Sequence, residues 1–128
     1  MIIVDTCIWV PFFNRPHSAE KQFVDQLIDD NEVAMIGPIL AEILQGFKRD
    51  QEADWVASEL RHLHFVKVEW EYWKQAASLG RRLAKQGHRL PLSDLVIAAV
   101  AVRHRYQVCT TDPHFQLINE VTTITPKK

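Results

Sequence analysis

Four carboxylates stand at places where a local pattern changes: Asp5, Glu42, Asp94 and Asp112. Asp5 closes the run Met1-Ile2-Ile3-Val4 and Asp112 closes Val108-Cys109-Thr110-Thr111. Asp94 opens the apolar stretch Leu95 to Val102, and Glu42 lies early in the segment that follows Val33 to Ile36. Four such oxyanions brought within a few ångströms repel one another unless they are protonated or bridged by cations. An all-oxygen donor set suits a hard cation, Mg²⁺ or Mn²⁺, better than zinc. Two divalent ions balance four carboxylates, whereas one leaves excess negative charge. Ions about 4 Å apart can activate a water and stabilise the leaving oxygen of a phosphodiester, so the chemistry to expect is metal-assisted hydrolysis.

That chemistry requires elements that carry the acids to one place. Ile2-Ile3-Val4 is short, β-branched and apolar throughout, as expected of a strand buried on both faces of a parallel sheet, and Val108-Cys109-Thr110-Thr111 resembles another internal strand. Val33 to Ile36 is a third such strand, Phe65 to Val68 alternates as a short fourth, and Val121 to Thr125 is a last one. Between them, Ser18 can cap a helix containing Phe23, Val24, Leu27 and Ile28. Gly37-Pro38 opens a helix from Ile39 to about Lys48, and further helices cover Glu52 to His62 and Tyr72 to Lys85. Ser93 or Asp94 can cap the fully apolar helix Leu95 to Val102, and a short turn of helix spans His114 to Ile118. Residues Pro11 to Pro16 read as a loop.

Strands alternating with helices predict a three-layer α/β/α sandwich around a central, mostly parallel sheet, with residues 1–128 as one unit. In such a sheet the carboxyl ends of the strands share one edge, and ligands bind there. Asp5 and Asp112 fall on that edge, and the starts of the helices bearing Asp94 and Glu42 return to it. Each acid also has a plainer reading. Asp112-Pro113 suits a helix N-cap followed by proline, and Asp94 suits a helix start. Glu42 lies about 130° from the apolar centre of its helix, so only a cleft between helix and sheet edge would bring it into a site.

Composition narrows the class. The 128 residues are 47% hydrophobic, enough for one core, and the formal charge of −1 excludes nucleic-acid binding by bulk positive charge. Cys7 and Cys109 form no CxxC pair, which argues against a disulfide scaffold or a thiolate zinc site and fits a reducing cytoplasm. No secretory signal or membrane span is expected. A receiver-like domain would need paired acids after the first strand, and a haloacid-dehalogenase-type phosphatase would need Asp-x-Asp, where position 7 is Cys.

Taken in order, Ile3-Val4-Asp5-Thr6-Cys7, Ala41-Glu42-Ile43, Ser93-Asp94-Leu95-Val96-Ile97-Ala98-Ala99 and Thr110-Thr111-Asp112-Pro113-His114-Phe115 resemble the motifs of the PIN-domain ribonucleases. Within that family the chain is similar to the VapC-type toxins of prokaryotic toxin-antitoxin pairs. The resemblance covers nearly the whole chain. It implies Mg²⁺- or Mn²⁺-dependent endonucleolytic cleavage of RNA, with Asp5, Glu42, Asp94 and Asp112 binding metal and Thr110 as a polar assistant. It also implies a homodimer and a cognate antitoxin whose C-terminal segment blocks the site. A solitary PIN-like RNA-processing or RNA-binding module is the alternative. Cys7 departs from the pattern, standing where a hydroxyl or amide is commoner, and reads first as a small buried thiol. His17 and His114 fall near the predicted edge as bystanders. Cations for the rim are Arg15, Lys48, Arg49 and Arg89, while Arg81-Arg82-Leu83-Ala84-Lys85 and Arg103-His104-Arg105 read as solvated helix faces. Most of Trp9, Trp55, Trp70 and Trp73 are expected in the core, with Trp9, Phe12 and Phe13 the candidates for a partner groove.

Overall fold

A computed structural model describes residues 1–126. Strand β1 (Ile2–Val4) is the centre of a five-stranded sheet completed by β2 (Val33–Ile36), β3 (His64–Val66), β4 (Gln107–Cys109) and β5 (Thr123–Ile124). The order is β3-β2-β1-β4-β5 and every neighbouring pair is parallel. Ile3 and Val4 are fully buried, as the unbroken apolar run of β1 requires of a strand covered on both faces. Helices α1 (Thr6–Asn14), α2 (Ala19–Asp29), α3 (Gly37–Gln45) and α4 (Asp50–Leu60) lie within the β1–β2–β3 connections. Helices α5 (Trp70–Lys85) and α6 (Leu92–His104) lead from β3 across to β4. Right-handed crossovers in opposite directions from β1 put these two groups on opposite faces, giving the three layers.

Several boundaries differ from the sequence reading. Helix α1 begins immediately after Asp5 and takes in Pro11, where a loop was expected. It survives because it is short and because Ile8 and Trp9 are each only 1% exposed, so the packing of its inner face outweighs the lost N–H of Pro11. Helix α4 starts at Asp50 rather than Glu52, and β3 starts one residue earlier and ends two earlier than Phe65 to Val68. Helix α6 starts at Leu92, with Pro91 before it, so Asp94 sits in the first turn instead of capping. The final strand shrinks to Thr123–Ile124. Trp9 alone of the tryptophans is core: Trp55, Trp70 and Trp73 are exposed, contrary to expectation.

Helices α5 and α6 pack antiparallel. Gly80 lies so close to Leu95 that a Cβ there would meet Leu95 Cδ1 at 2.9 Å, and Tyr72 Oη is hydrogen-bonded to His104 Nε2 at 2.8 Å. The carboxyl end of α5 therefore reaches the same edge as the amino end of α6. Helix α6 ends at Arg105, in the left-handed region at φ 58°, with the Tyr106 N–H donating to Ala101 O at 2.9 Å. This is the closing motif that favours glycine, and a β-carbon there is strained. Arg105→Gly should raise stability by about 0.5–1 kcal/mol, read as a higher midpoint in urea with an unchanged slope.

Candidate active site

The carboxyl edge is assembled from backbone outward. Asp5 is held by the sheet through its own N–H, which donates to Cys109 O at 3.0 Å. Its Oδ1 accepts from the Thr6 N–H at 2.8 Å, so the side chain also caps α1. Its Oδ2 accepts the Thr110 hydroxyl at 2.8 Å and lies 3.4 Å from Cys7 Sγ. The Thr110 hydroxyl oxygen in turn accepts the Asp112 N–H at 3.0 Å. One buried hydroxyl, 3% exposed, thus ties the end of β1 to the turn after β4. Cys7 lies 3.4 Å from Thr110 Oγ1 and 3.6 Å from Thr111 Oγ1, yet it is exposed, which corrects its reading as a buried thiol. Cys109, the truly buried thiol, has its pKa pushed up to about 12, chiefly by burial.

Asp94 comes from the first turn of α6 and Asp112 from the turn after β4. Asp94, 7% exposed, accepts from or shares a proton with His114 Nδ1 at 2.8 Å through Oδ2. Asp112 Oδ1 accepts the His114 N–H at 2.9 Å, capping the 3₁₀ turn Pro113–Leu117, and lies 3.2 Å from His114 Nδ1. The capping role anticipated for Asp112 and its place in the cluster are both real. Glu42 is half-buried beside α1, where Thr6 Oγ1 donates to its Oε1 at 3.4 Å. The helical wheel pointed Glu42 to solvent because it counts only the helix's own neighbours. The adjacent helix, α1, supplies the missing wall.

The charges feel one another. Burial raises the pKa of Glu42, the negative charges of Asp5 and Asp94 add to that, and the Thr6 hydrogen bond opposes it. Burial also raises the pKa of Asp94, opposed by the bond to His114 and reinforced by Asp112 and Asp5. His114 is raised mainly by its bond to Asp94. So the structure gathers Asp94, Asp112 and His114, which the sequence reading had set aside, into one group, with Asp5 tied to Asp112 through Thr110 and Glu42 near enough to feel Asp5 and Asp94 but outside that group. Ligand atoms of Asp94, Asp112 and His114 all lie within 4.8 Å of one another. The signal for His114 was available in its position two residues past an acid that ends a strand. His17 takes no part: it lines a surface cleft between α1 and α2 with Arg15 and Glu20.

The donor set fits a hard divalent cation. Its atoms are carboxylate oxygens with one imidazole, two of the acids are held above their ordinary pKa by burial and by neighbouring carboxylates, and the one protein cation touching them among the described residues is a titratable histidine.

A PIN domain family model matches residues 2–121, and the chain belongs to the PIN domain family. It is 28% identical over 128 residues to "Ribonuclease VapC11" of Mycobacterium tuberculosis, covering 97% of this chain and 96% of that protein. Its fold is similar to that in the crystal structure of VapBC2 from Rickettsia felis bound to a DNA fragment from their promoter. There the TM-score is 0.83 at 20% identity over 99% of this chain and 100% of that one. It is also similar to a toxin-antitoxin complex from Klebsiella pneumoniae, with a TM-score of 0.78 at 20% identity over 100% of this chain and 99% of that one.

Two measurements probe this geometry. Replacing Thr110 by Val strips the hydroxyl from both Asp5 and the Asp112 N–H and should cost about 1–3 kcal/mol in chemical denaturation, while Thr110→Ser should recover most of it. Because Glu42 and Asp94 have raised pKa values and protonated His114 competes with a cation for Asp94, lowering the pH fills the site with protons. Mn²⁺ affinity by calorimetry should therefore fall as pH drops through the range above the ordinary carboxylate value of about 4, with proton release on binding. A pH-independent affinity would contradict this account.

Proposed function

We propose that this chain is a divalent-metal-dependent endoribonuclease and the toxin of a toxin-antitoxin pair. The observation that carries the first part is the convergence of Asp5, Glu42, Asp94 and Asp112 on one edge, with mutual charge repulsion evident at Glu42 and Asp94. The relative named a ribonuclease and the fold shared with toxin-antitoxin complexes support the second. In this reading Asp5, Glu42, Asp94 and Asp112 hold Mg²⁺ or Mn²⁺, one or two ions. When bound, such an ion supplies positive charge opposite the phosphodiester and a water of lowered pKa.

The chain's own residues then have definite tasks. Asp5 is fixed by Thr6 and Thr110 so that it cannot rotate when charge enters the cleft. Thr110 holds the Asp112 backbone in register with β1. His114 orients Asp94 and balances part of its charge when protonated. The attacking water adds to phosphorus and the 3′ oxygen departs, so RNA is cut by hydrolysis at a phosphodiester.

The partner side of the proposal places an antitoxin helix in a cleft of about 590 Å³ lined by Phe12, Phe13, Lys21, Trp55, Val56 and Leu63. Trp55 is 63% exposed there, an apolar surface that suits the apolar face of a partner helix. A homodimer in the cytoplasm completes the reading. No helix of the described residues is long and apolar enough to cross a membrane.

The test is cleavage of total cellular RNA with Mn²⁺, Mg²⁺ or chelator, comparing wild type with Asp5→Asn. Asn retains the cap on α1 and so preserves the fold. Wild type should cut only with metal, and the variant should lose at least about 100-fold, more than outer-shell substitutions typically cost. RNA bound but never cut would favour the RNA-binding module, and cutting unaffected by both chelator and substitution would exclude the metal nuclease.

A further inference from the structure

Charge is segregated along this chain. From Tyr72 to Ser93 there is no Asp or Glu, while Lys74, Arg81, Arg82, Lys85 and Arg89 fall in that interval; the protein as a whole is at −1. Arg82 is accounted for by its bidentate pair with Glu120, at 2.9 and 2.8 Å. Lys74 lies 3.8 Å from Glu71. Arg81, Lys85 and Arg89 are exposed and enter no ion pair among the described residues. Arg81 and Lys85 stand at i and i+4 on α5, a like-charge pair that destabilises an isolated helix. The helix dipole favours Lys85 in the last turn, yet it offers nothing to Arg89, which lies beyond the helix. Structure alone leaves this strip of cations without a reason.

Its location supplies one. The carboxyl end of α5 packs beside the amino end of α6, with Gly80 against Leu95, next to Asp94. The Arg82–Glu120 pair fastens α5 to the turn that leads into β5. The turn between the helices is set by Gly87 at φ 88°, where the His88 N–H donates to Leu83 O at 2.9 Å, so Arg89 follows a closed helix end rather than a loose loop. Lys85 and Arg89 thus stand at and just beyond the end of α5 that meets the amino end of α6, with Arg81 one turn before them, all three exposed. A polyanion that must reach a carboxylate cluster is repelled by it, and needs positive charge beside the cluster to bind at all.

We propose that Arg81, Lys85 and Arg89 form the phosphate-binding track that guides RNA to the edge bearing Asp94 and Asp112. The inference rests on the ribonuclease reading and deepens it by naming where the substrate backbone lies. The track reads phosphate and not base, so it fixes position without sequence preference. This revises the view of Arg81 and Lys85 as merely solvating a helix face.

The experiment uses a short fluorescein-labelled single-stranded RNA with chelator present, so that no cutting proceeds, and reads fluorescence anisotropy over a range of salt. Neutralising the track with R81Q/K85Q/R89Q should weaken binding on the order of 10- to 100-fold and reduce the log–log salt slope by about 2, since each single-strand phosphate contact contributes about 0.7. A control of equal charge, K67Q/K74Q/R105Q, should leave the slope near that of wild type. Equal losses in both triples would mean bulk charge and overturn the track, as would an R81Q/K85Q/R89Q variant that binds like wild type. Thermal melts of all three proteins establish that the exposed substitutions leave the fold intact. The metal-dependent cleavage assay on wild type is scored separately: cutting by wild type with no effect of the track variant defeats this inference alone, whereas absent cutting defeats the ribonuclease reading.

Discussion

Repulsion among carboxylates is the constraint around which this structure is arranged. Asp5 and Asp94 are both buried and Glu42 is half-buried; Asp5 adds to the cost of ionising Glu42 and Asp94, and Asp94 adds to that of Glu42. Burying one unpaired charge is expensive, and gathering several compounds the cost unless hydrogen bonds or cations offset it. The fold answers with bonds to Asp5 from a backbone N–H and a buried hydroxyl, and to Asp94 from an imidazole. These fix the oxygens without neutralising most of their charge. A cluster held rigid and left negative is pre-organised for a divalent ion, because the reorganisation cost is met when the chain folds.

The sheet order explains why the acids meet where they do. From β1 the chain first builds outward through β2 and β3, then returns to place β4 on the other side. The reversal lies between β1 and β4, where diverging connections leave a crevice at the carboxyl edge. Asp5 ends one of those strands and Asp112 follows the other. The pairing of Val4 with Cys109 sets Asp5 level with Thr110, whose single hydroxyl spans the gap to the Asp112 backbone. A shift of one residue in β4 would turn Thr110 to the opposite face and separate the two acids.

Much of this could be read from sequence because buried parallel strands are short apolar runs, and their polar ends mark the edge directly. Val33–Ile36 was recovered residue for residue, and Ser18 does cap α2 through its Oγ to the Lys21 N–H at 3.0 Å. The errors arose where tertiary packing overrides local rules. Pro11 breaks the pattern on paper, but the helix around it is anchored by Trp9. The periodicity of α3 assigned Glu42 to water because a wheel cannot show α1 lying alongside. Tryptophan count suggested core, while Trp55, Trp70 and Trp73 are exposed, since hydrophobic type constrains burial less than position on an element does.

Cys7 shows how a site can change one member without losing its geometry. A thiol is a weak donor, so at 3.4 Å from Asp5 Oδ2 it adds little to what Thr6 and Thr110 already supply. Asp5 is therefore over-determined: two strong donors hold it and the third contact is dispensable for orientation. The same logic separates Asp94, whose one strong partner among the described residues is His114, itself titratable and 41% exposed. When His114 is neutral, Asp94 loses its nearest positive charge while Asp112 and Asp5 remain close. The part of the cluster most in need of an external cation is thus the Asp94–Asp112 side, the one beside which α5 ends, so the proposed phosphate track leads RNA to the same flank that draws the ion.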